Sequence, residues 1–533
     1  MKSVMRHQFS QVPKATIQRS SFDRSHGHKT TFDAGWLVPI YVDEALPGDT
    51  FNLRMTSFAR LSTPLHPIMD NMFCDVFFFA VPYRLVWSHF VNFFGEQDNP
   101  TDTTSYLVPT ATVPSVGGYA FHSMQDYMGL PTGTNVAGVT HSNLHCRAYN
   151  LIWNQWFRDE NLQNSVVVDK GDGPDNPANY NLMRRGKRHD YYTSALPWPQ
   201  KGPAVQLPIV GGTGLLAVAP QSTQMVTGAQ PALSIRTAAA GATPAPGTLG
   251  IDGAGNLSAN ATATGGGGVY PSNLAVNFSA STIATINQLR QAFQIQKIYE
   301  RDARGGTRYT ELVLSHFGVS SPDARLQRAE YLGGGSTPVN INPIAQTSGT
   351  GISGSTTPQG SLTGVGTFSH RGVGFTKSFT EHCLLLGLVS VRADITYQQG
   401  IKRHWSRSTR FDFYWPGLSH IGEQAILSQE LTLVGTLNAV FGYQERYAEY
   451  RYFPSLVTGQ FRSSFPQTLD SWHLAQSFAG TPTLGDTFIQ DNPPIARVVA
   501  VPTQPHFLFD SYFHLQCARP MPVYGVPGLI DHF

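Results

Sequence analysis

Two clusters of side chains in this sequence have the make-up needed to hold a phosphate backbone and stack a base. Lys402, Arg403, Arg407 and Arg410 surround Trp405, and Arg184, Arg185, Lys187 and Arg188 stand almost side by side. Cations pair with phosphates and an aromatic ring offers an unstacked base a face, so both clusters are candidates for contact with single-stranded nucleic acid. The competing reading of each is a solvated face or an ion pair to an acidic neighbouring subunit. A third group differs in kind: Glu445, Arg446, Glu449 and Arg451 carry both signs, interleaved with Tyr447, Tyr450 and Tyr452. Tyr and Arg favour interface cores and mixed charges fix register, which makes Arg446, Tyr447, Tyr450 and Arg451 expected subunit contacts.

Catalytic chemistry finds little to work with. Ser, His and Asp are plentiful, but no Gly-x-Ser-x-Gly and no His-Glu-x-x-His occurs, and neither an activated nucleophile nor a zinc helix is implied. His370, Glu381 and His382 have the residue types of a metal site at a spacing that fits no familiar zinc pattern, and His26-Gly27-His28 lacks a nearby Cys or acidic partner. The run of glycines at 265–268 lacks the Gly-Lys-Ser/Thr ending of a phosphate loop. No catalytic residue, metal or cofactor is expected.

Composition says how these groups are carried. Of 533 residues only 14% are charged, with Gly 51 and Pro 36, against about 25% charged in ordinary soluble domains. That suits a loop-rich β protein whose surface is covered by other subunits or is built from Ser, Thr, Asn and Gly. The formal net charge of +2 is too small for a chain that neutralises nucleic acid unaided, so such contact must be local or shared with another basic molecule. Cys74, Cys146, Cys383 and Cys517 are far apart and read as buried free thiols in a reducing compartment. The N-terminus shows no apolar signal region and no run approaches membrane-spanning length.

The rest of the chain is arranged around residues 73–95. Nine aromatics lie there, Phe73, Phe77, Phe78, Phe79, Tyr83, Trp87, Phe90, Phe93 and Phe94, with Asp75 and Arg84 as the formal charges. Residues 73–81 are apolar on both alternating faces and predict a strand covered on both sides. Helical spacing after Pro82 predicts a helix stopped at Gly95, with Phe94 free to serve an assembly contact. Residues 1–30 lack periodicity and predict an extended arm ordered against a neighbour. Alternation then predicts strands either side of the Pro47-Gly48-Asp49 turn. An amphipathic helix is predicted over 142–162.

Composition changes at about Gly202. From 202 to 285 the charged residues are Arg236 and Asp252 and the aromatics Tyr270 and Phe278, too few large side chains for a core of its own. Helices are predicted from Thr285 and over 309–317, a long loop over 333–366, and strands over 382–391, 393–397, 410–414, 431–437, 495–501 and 507–515. Strands at both ends with helices confined to insertions predict a mainly β sandwich or barrel. The domain reading is an arm (1–30), a first core part (31–201), an insertion (202–285) and a second core part (286–533).

Several runs together resemble one family: RSSFDRSH at 19–26, TTFD at 30–33, PIYVDE at 39–44, LPGDT at 46–50, VPYRLVW at 81–87, HDYYTSALP at 189–197, QERYAEYRY at 444–452 and PGLIDH at 527–532. They are similar to the major capsid proteins of microviruses, small tailless phages with single-stranded DNA, and particularly of the gokushovirus branch. The resemblance implies an eight-stranded viral jelly roll with long inter-strand insertions, self-assembling through pentamers into a sixty-copy T=1 icosahedral shell around single-stranded DNA. It implies that 202–285 is the branch's variable insertion, three copies of which form a surface protrusion open to a host surface receptor. It also implies a separate small basic protein that condenses the DNA, a place in the virion, and assembly in the host cytoplasm with no membrane. A reading from another class is a carbohydrate-binding or carbohydrate-cleaving β sandwich, which shares the architecture and needs a carboxylate pair in an aromatic cleft.

Overall fold

A computed structural model describes residues 17–202, 286–319, 327–350 and 358–524, together with short strand segments between 219 and 275. The fold is mainly β, and its two main sheets pack face to face. The first sheet contains β1 (Ser20–Asp23), β2 (His26–Phe32), β4 (Thr50–Leu61), β7 (Asn340–Ala345), β8 (Leu362–Ser378) and β12 (Phe507–Arg519). The second contains β3 (Val38–Ala45), β5 (Met72–Pro82), β6 (Glu330–Pro338) and β9 (Cys383–Ala393), while β10 (Glu423–Leu427) and β11 (Val440–Glu445) form an antiparallel pair of their own. In space the first runs β1/β2-β12-β4-β8-β7 and the second β6-β5-β9-β3, with every pairing antiparallel. Successive long strands cross repeatedly between the two sheets, which is the winding of a jelly roll. Among the described residues the two sheets hold six and four strands rather than four and four, because β1 and β7 extend the first sheet at its edges.

The core follows from alternation. β4 and β12 bury every second residue: Phe51, Leu53, Met55 and Ala59 on one, Phe507, Phe509, Phe513 and Leu515 on the other. β5 and β9 are apolar on both faces because each face has a cover. Cys74, Val76, Phe78, Leu385 and Val389 point into the space between the sheets. Phe79, Val81, Leu384, Leu386 and Leu388 point to the opposite side, where α1 (Leu144–Ile152) lies with Leu144, Ala148 and Ile152. Each such side chain removed from water stabilises the fold by about 1.5–3 kcal/mol. At Gly387 a Cβ would sit 2.8 Å from Tyr41 Cβ and 2.9 Å from Phe78 Cε1, so this crossing of β9 needs a residue without a side chain.

Several segments depart from the sequence expectation. The part of the 1–30 arm described is not free: β1 and β2 pair with β12 of the same chain, His26 stacks on Phe513 at 5.2 Å, and Arg24 makes two hydrogen bonds to Asp43, 2.7 and 2.9 Å. Their ladder is set by β12, so their own polar sequence shows no period. Residues 1–16 lie outside the described residues. The glycine-rich stretch from 333 is largely strand, β6, β7 and β8, because glycine lets backbones approach: a Cβ on Gly334 would lie 2.1 Å from Val76 O. Conversely, the strands expected at 410–414 and 495–501 contain the tight turns Arg410–Asp412 and Ile495–Arg497, and 431–437 contains no strand. The first turn is held by the Asp412 carboxylate accepting from Thr409 N at 2.7 Å, and the second buries Ile495.

The helix expected after Pro82 is broken into a turn, Tyr83–Leu85, and a short helix, Phe90–Phe93. Gly95 follows it with φ 105°. α1 continues as a wider π turn, Trp153–Phe157, and ends there rather than at 162. Later helices are α2 (Ile286–Gly305) and α3 (Tyr309–Phe317), the latter stopped by Gly318 at φ 69°. All four cysteines are buried free thiols. The chain divides into two compact units, Met1–Lys201 with Arg301–Phe533, and Gly202–Glu300. In the smaller unit three antiparallel pairs are nested: Ala219–Pro220 with Leu274–Ala275, Ile235–Thr237 with Val269–Pro271, and Leu249–Ile251 with Leu257–Ala259.

Candidate nucleic-acid and assembly surfaces

The 402–415 segment is made of consecutive tight turns, Arg403–Trp405, Arg410–Asp412 and beyond, which keep its aromatics from reaching a core. Trp405 is 77% exposed and Phe453 81%, and Phe411, Phe413, Tyr414, Trp415 and Tyr450 are exposed beside them. Cations sit on these rings: Lys402 Nζ lies 3.1 Å from the Phe453 centroid, Arg407 4.4 Å from Tyr450 and Arg410 4.6 Å from Phe411. Their pairing differs. Arg403 donates to Glu430 at 3.0 Å and to Ala425 O at 2.6 Å, and Arg407 donates to Glu449 at 3.4 Å. Among the described residues no carboxylate pairs with Lys402 or Arg410. Free cations beside a solvent-facing indole are the chemistry that takes phosphate and base together.

Glu430 is buried and held above the usual carboxylate range by that burial, with Arg403 acting against it. With Glu449, Tyr450, Tyr452 and Phe453 it lines a cavity of about 200 Å³. Here two carboxylates stand in an aromatic cleft, but Arg403 pairs with Glu430 and Arg407 with Glu449, so this cleft holds no pair of unencumbered acids for glycan chemistry.

The second cluster is placed by short ladder contacts: Trp36 bridges Arg184 and Gly186 bridges Gln490. Extended backbone sends neighbours to opposite sides. Arg184 stacks on Trp36 at 4.1 Å and donates to Asp491 O at 3.0 Å. Arg185 donates to Asp75 and lies 5.0 Å over Phe77. Lys187 donates to Gln476 Oε1 at 3.1 Å and sits 4.4 Å from the Phe488 ring, and burial lowers its pKa to about 8. Arg188 pairs with Asp394 at 3.2 Å and lies over Phe73. Burial pushes the neighbouring Asp491 carboxyl up to about 7, against the pull of Lys187, Arg185 and Arg184.

This cluster is not a solvated face: Arg184, Arg185 and Lys187 are partly buried on internal partners. Arg158, Arg308 and Arg392, from three distant segments, join Arg185, Lys187 and Arg188 around one cavity. Sequence reasoning missed these three, since nothing local marks residues brought together only by folding. It also missed that Asp75, within the most apolar strand, is the shared counter-ion of Arg185 and Arg392: Arg392 Nε lies 2.7 Å from Asp75 Oδ2, beside Arg185.

The expected assembly residues separate. Phe94 is 59% exposed and packs on His382 at 4.4 Å and Phe90 at 4.8 Å, so it presents a ring supported from behind. Tyr450 and Arg451 are exposed, and Arg451 pairs with Glu445. Tyr447 is only 3% exposed, its hydroxyl donating to Phe411 O at 3.1 Å, so it supports this surface from within and cannot itself meet a neighbour. Arg446 stacks over Tyr447 at 4.9 Å and donates to the same carbonyl at 3.2 Å. The residues considered as a metal group are split: His370 is buried beside Phe368, Glu381 pairs with Arg84, and His382 stacks on Phe94. Among the described residues no helix is long and apolar enough to cross a membrane.

A family model described as capsid protein (F protein) matches residues 10–529. The chain is 47% identical over 542 residues to capsid protein VP1 of Bdellovibrio phage phiMH2K, covering 99% of this chain and 98% of the relative. It is 45% identical over 595 residues to capsid protein VP1 of Chlamydia phage 1, covering 99% and 98%. Spiroplasma virus 4 supplies a third capsid protein VP1, 36% identical over 549 residues and covering 98% and 97%.

Proposed function

Since this chain belongs to the phage capsid protein (F protein) family of gokushovirus-type microviruses, and is thus a structural protein of the virion and not an enzyme, we propose that sixty copies close a T=1 shell around a single-stranded DNA genome. The observation that carries assembly is the exposed belt Phe413, Tyr414, Trp415 and Tyr450. Apolar exposure on this scale marks a surface that a partner covers, and a second copy is the partner a shell supplies. Pentamers are the first closed species, using Phe94, Tyr450 and Arg451 at their contacts.

The DNA meets the shell at Lys402, Trp405 and Arg410 and at the 184–188 cluster, while a separate small basic protein supplies most of the neutralising charge that a net +2 chain lacks. The 202–285 insertion, whose described strands form nested antiparallel pairs, joins two symmetry mates as a threefold protrusion and offers a host surface receptor its attachment point. Assembly takes place in the host cytoplasm, where the four cysteines stay reduced. Reconstruction of genome-filled particles tests all of this. Icosahedral density with sixty subunits and genome density against Trp405 is expected, and a shell of another symmetry, or one with the Trp405 surface facing outward solvent, overturns it.

A further inference from the structure

Phe77 and Phe79 on β5, Trp156 and Phe157 on the π turn, and Tyr331 on β6 wall one side of a cavity of about 570 Å³. The wall is continuous: Phe79 lies 5.5 Å from Trp156 and 5.6 Å from Tyr331, and Phe77 lies 5.3 Å from Phe157. Arg158, Arg185, Lys187, Arg188, Arg308 and Arg392 line the remainder, with Asp159 as the one carboxylate among the lining residues.

The charges do not balance. Arg188 has Asp394, and Arg308 has Glu160 and Glu311. Arg185 and Arg392 share the single carboxylate of Asp75. Lys187 donates to an amide oxygen and Arg158 to the carbonyl of Gln163 at 2.9 Å, so neither is in a direct ion pair, although the Asp491 carboxyl lies near Lys187. Asp159 Oδ1 is taken by the backbone N–H groups of Asn161 and Leu162. The Nε atoms of Arg158 and Arg308 are buried without a hydrogen-bond acceptor. Buried donors left unmade cost free energy that an incoming anion would recover.

We propose that this cavity is a nucleotide pocket, which takes one unstacked nucleotide of single-stranded DNA with its base on Trp156 and Tyr331, backed by the buried Phe79, and its phosphate among Arg158, Lys187 and Arg392. The volume falls in the range of about 300–1,000 Å³ usual for small-molecule sites. Aromatic faces stack any base, so the pocket accepts the genome without regard to sequence. The inference rests on the reading that the shell encloses single-stranded DNA, and it adds a place where the chain is pinned one nucleotide per subunit rather than merely neutralised.

The test uses purified full-length protein and a fluorescent deoxythymidine decamer, with thymidine monophosphate and inorganic phosphate as competitors. Arg158→Gln and Tyr331→Leu should each weaken decamer binding about tenfold, as expected for a lost phosphate contact or a lost stack. Thymidine monophosphate should compete far better than inorganic phosphate. Equal competition by the two, or wild-type affinity in Tyr331→Leu, overturns the pocket. If Arg410→Gln loses binding while Arg158→Gln and Tyr331→Leu do not, the DNA reading stands and the pocket falls. Absence of any decamer binding by the wild type removes both. Should Arg158→Gln instead block shell formation with decamer binding unchanged, the cavity holds a segment of a neighbouring copy, which also overturns the proposal.

Discussion

Arg147 and Asp175 form a doubly hydrogen-bonded ion pair that water does not reach: Nε to Oδ2 is 2.7 Å, Nη2 to Oδ1 is 2.5 Å, and the side chains are 0% and 1% exposed. Arg147 also donates to Val86 O and Gly171 O, and Asn143 and Tyr180 donate to the carboxylate. The pair thus ties α1 to the turn after β5 and to the 171–175 loop. Replacing one member strands the other as a buried charge. Asp175→Asn should destabilise the subunit by about 3–5 kcal/mol in denaturant unfolding. A loss below about 1 kcal/mol would mean that the loops are held by packing alone.

Acid should weaken the fold through His370. Burial lowers its pKa to about 4 from 6.5, against a small opposing pull from Asp75. The unfolded chain therefore takes up a proton near 6.5 that the folded chain refuses until about pH 4. Stability is complete above the higher value and falls as pH drops through that window. At about 1.4 kcal/mol per unit the contribution is of order 2–4 kcal/mol. His370→Leu should flatten the thermal-melting profile between pH 6.5 and 4 by close to one proton, and an unchanged slope would assign the acid sensitivity to other histidines.

Two phenylalanines 16 positions apart should fail differently. Phe78 is fully buried between the sheets, and Phe78→Ala should cost about 3–5 kcal/mol and leave little folded subunit. Phe94→Ser removes an exposed ring and should leave the melting temperature nearly unchanged while abolishing assembly, read by sedimentation of the purified protein with its assembly partners. Unfolding of both variants would show that Phe94 is core.

Deleting residues 203–284 should leave the two main sheets intact, because none of their paired strands lies in that interval. Circular dichroism should retain the β signal, and particles should lose only their outward projections. Particles of unchanged outline would refute the protrusion.

The central strands were legible in sequence because burial on one or both faces imposes a period: β4, β5, β9 and β12 all fall where alternation or a continuous apolar run predicts. β2 and β6 were not, because an edge strand of His, Lys and Thr, or one of three glycines, is held by its neighbour's backbone. The site was legible only in part. Trp405 and Arg410 stand out as exposed aromatic and free cation, whereas the 184–188 run discloses neither its internal partner Asp75 nor Arg158, Arg308 and Arg392. Such partnerships are made by tertiary approach and leave no spacing to read.

The pairing of β12 sets the order in which the subunit can be made. Ser20 pairs with Arg519 and Phe32 with Phe507, while β4 uses the opposite edge of the same strand. Until the ribosome has released residues 507–519, β2 has no ladder and β4 presents one bare edge, a state open to mispairing between nascent chains. Contacts this distant in sequence also close slowly. A ribosome-stalled chain ending before 507 should be cut readily by protease within β2, and release of the full chain should confer resistance. The last described strand is thus a completion signal, which keeps half-made subunits out of the shell.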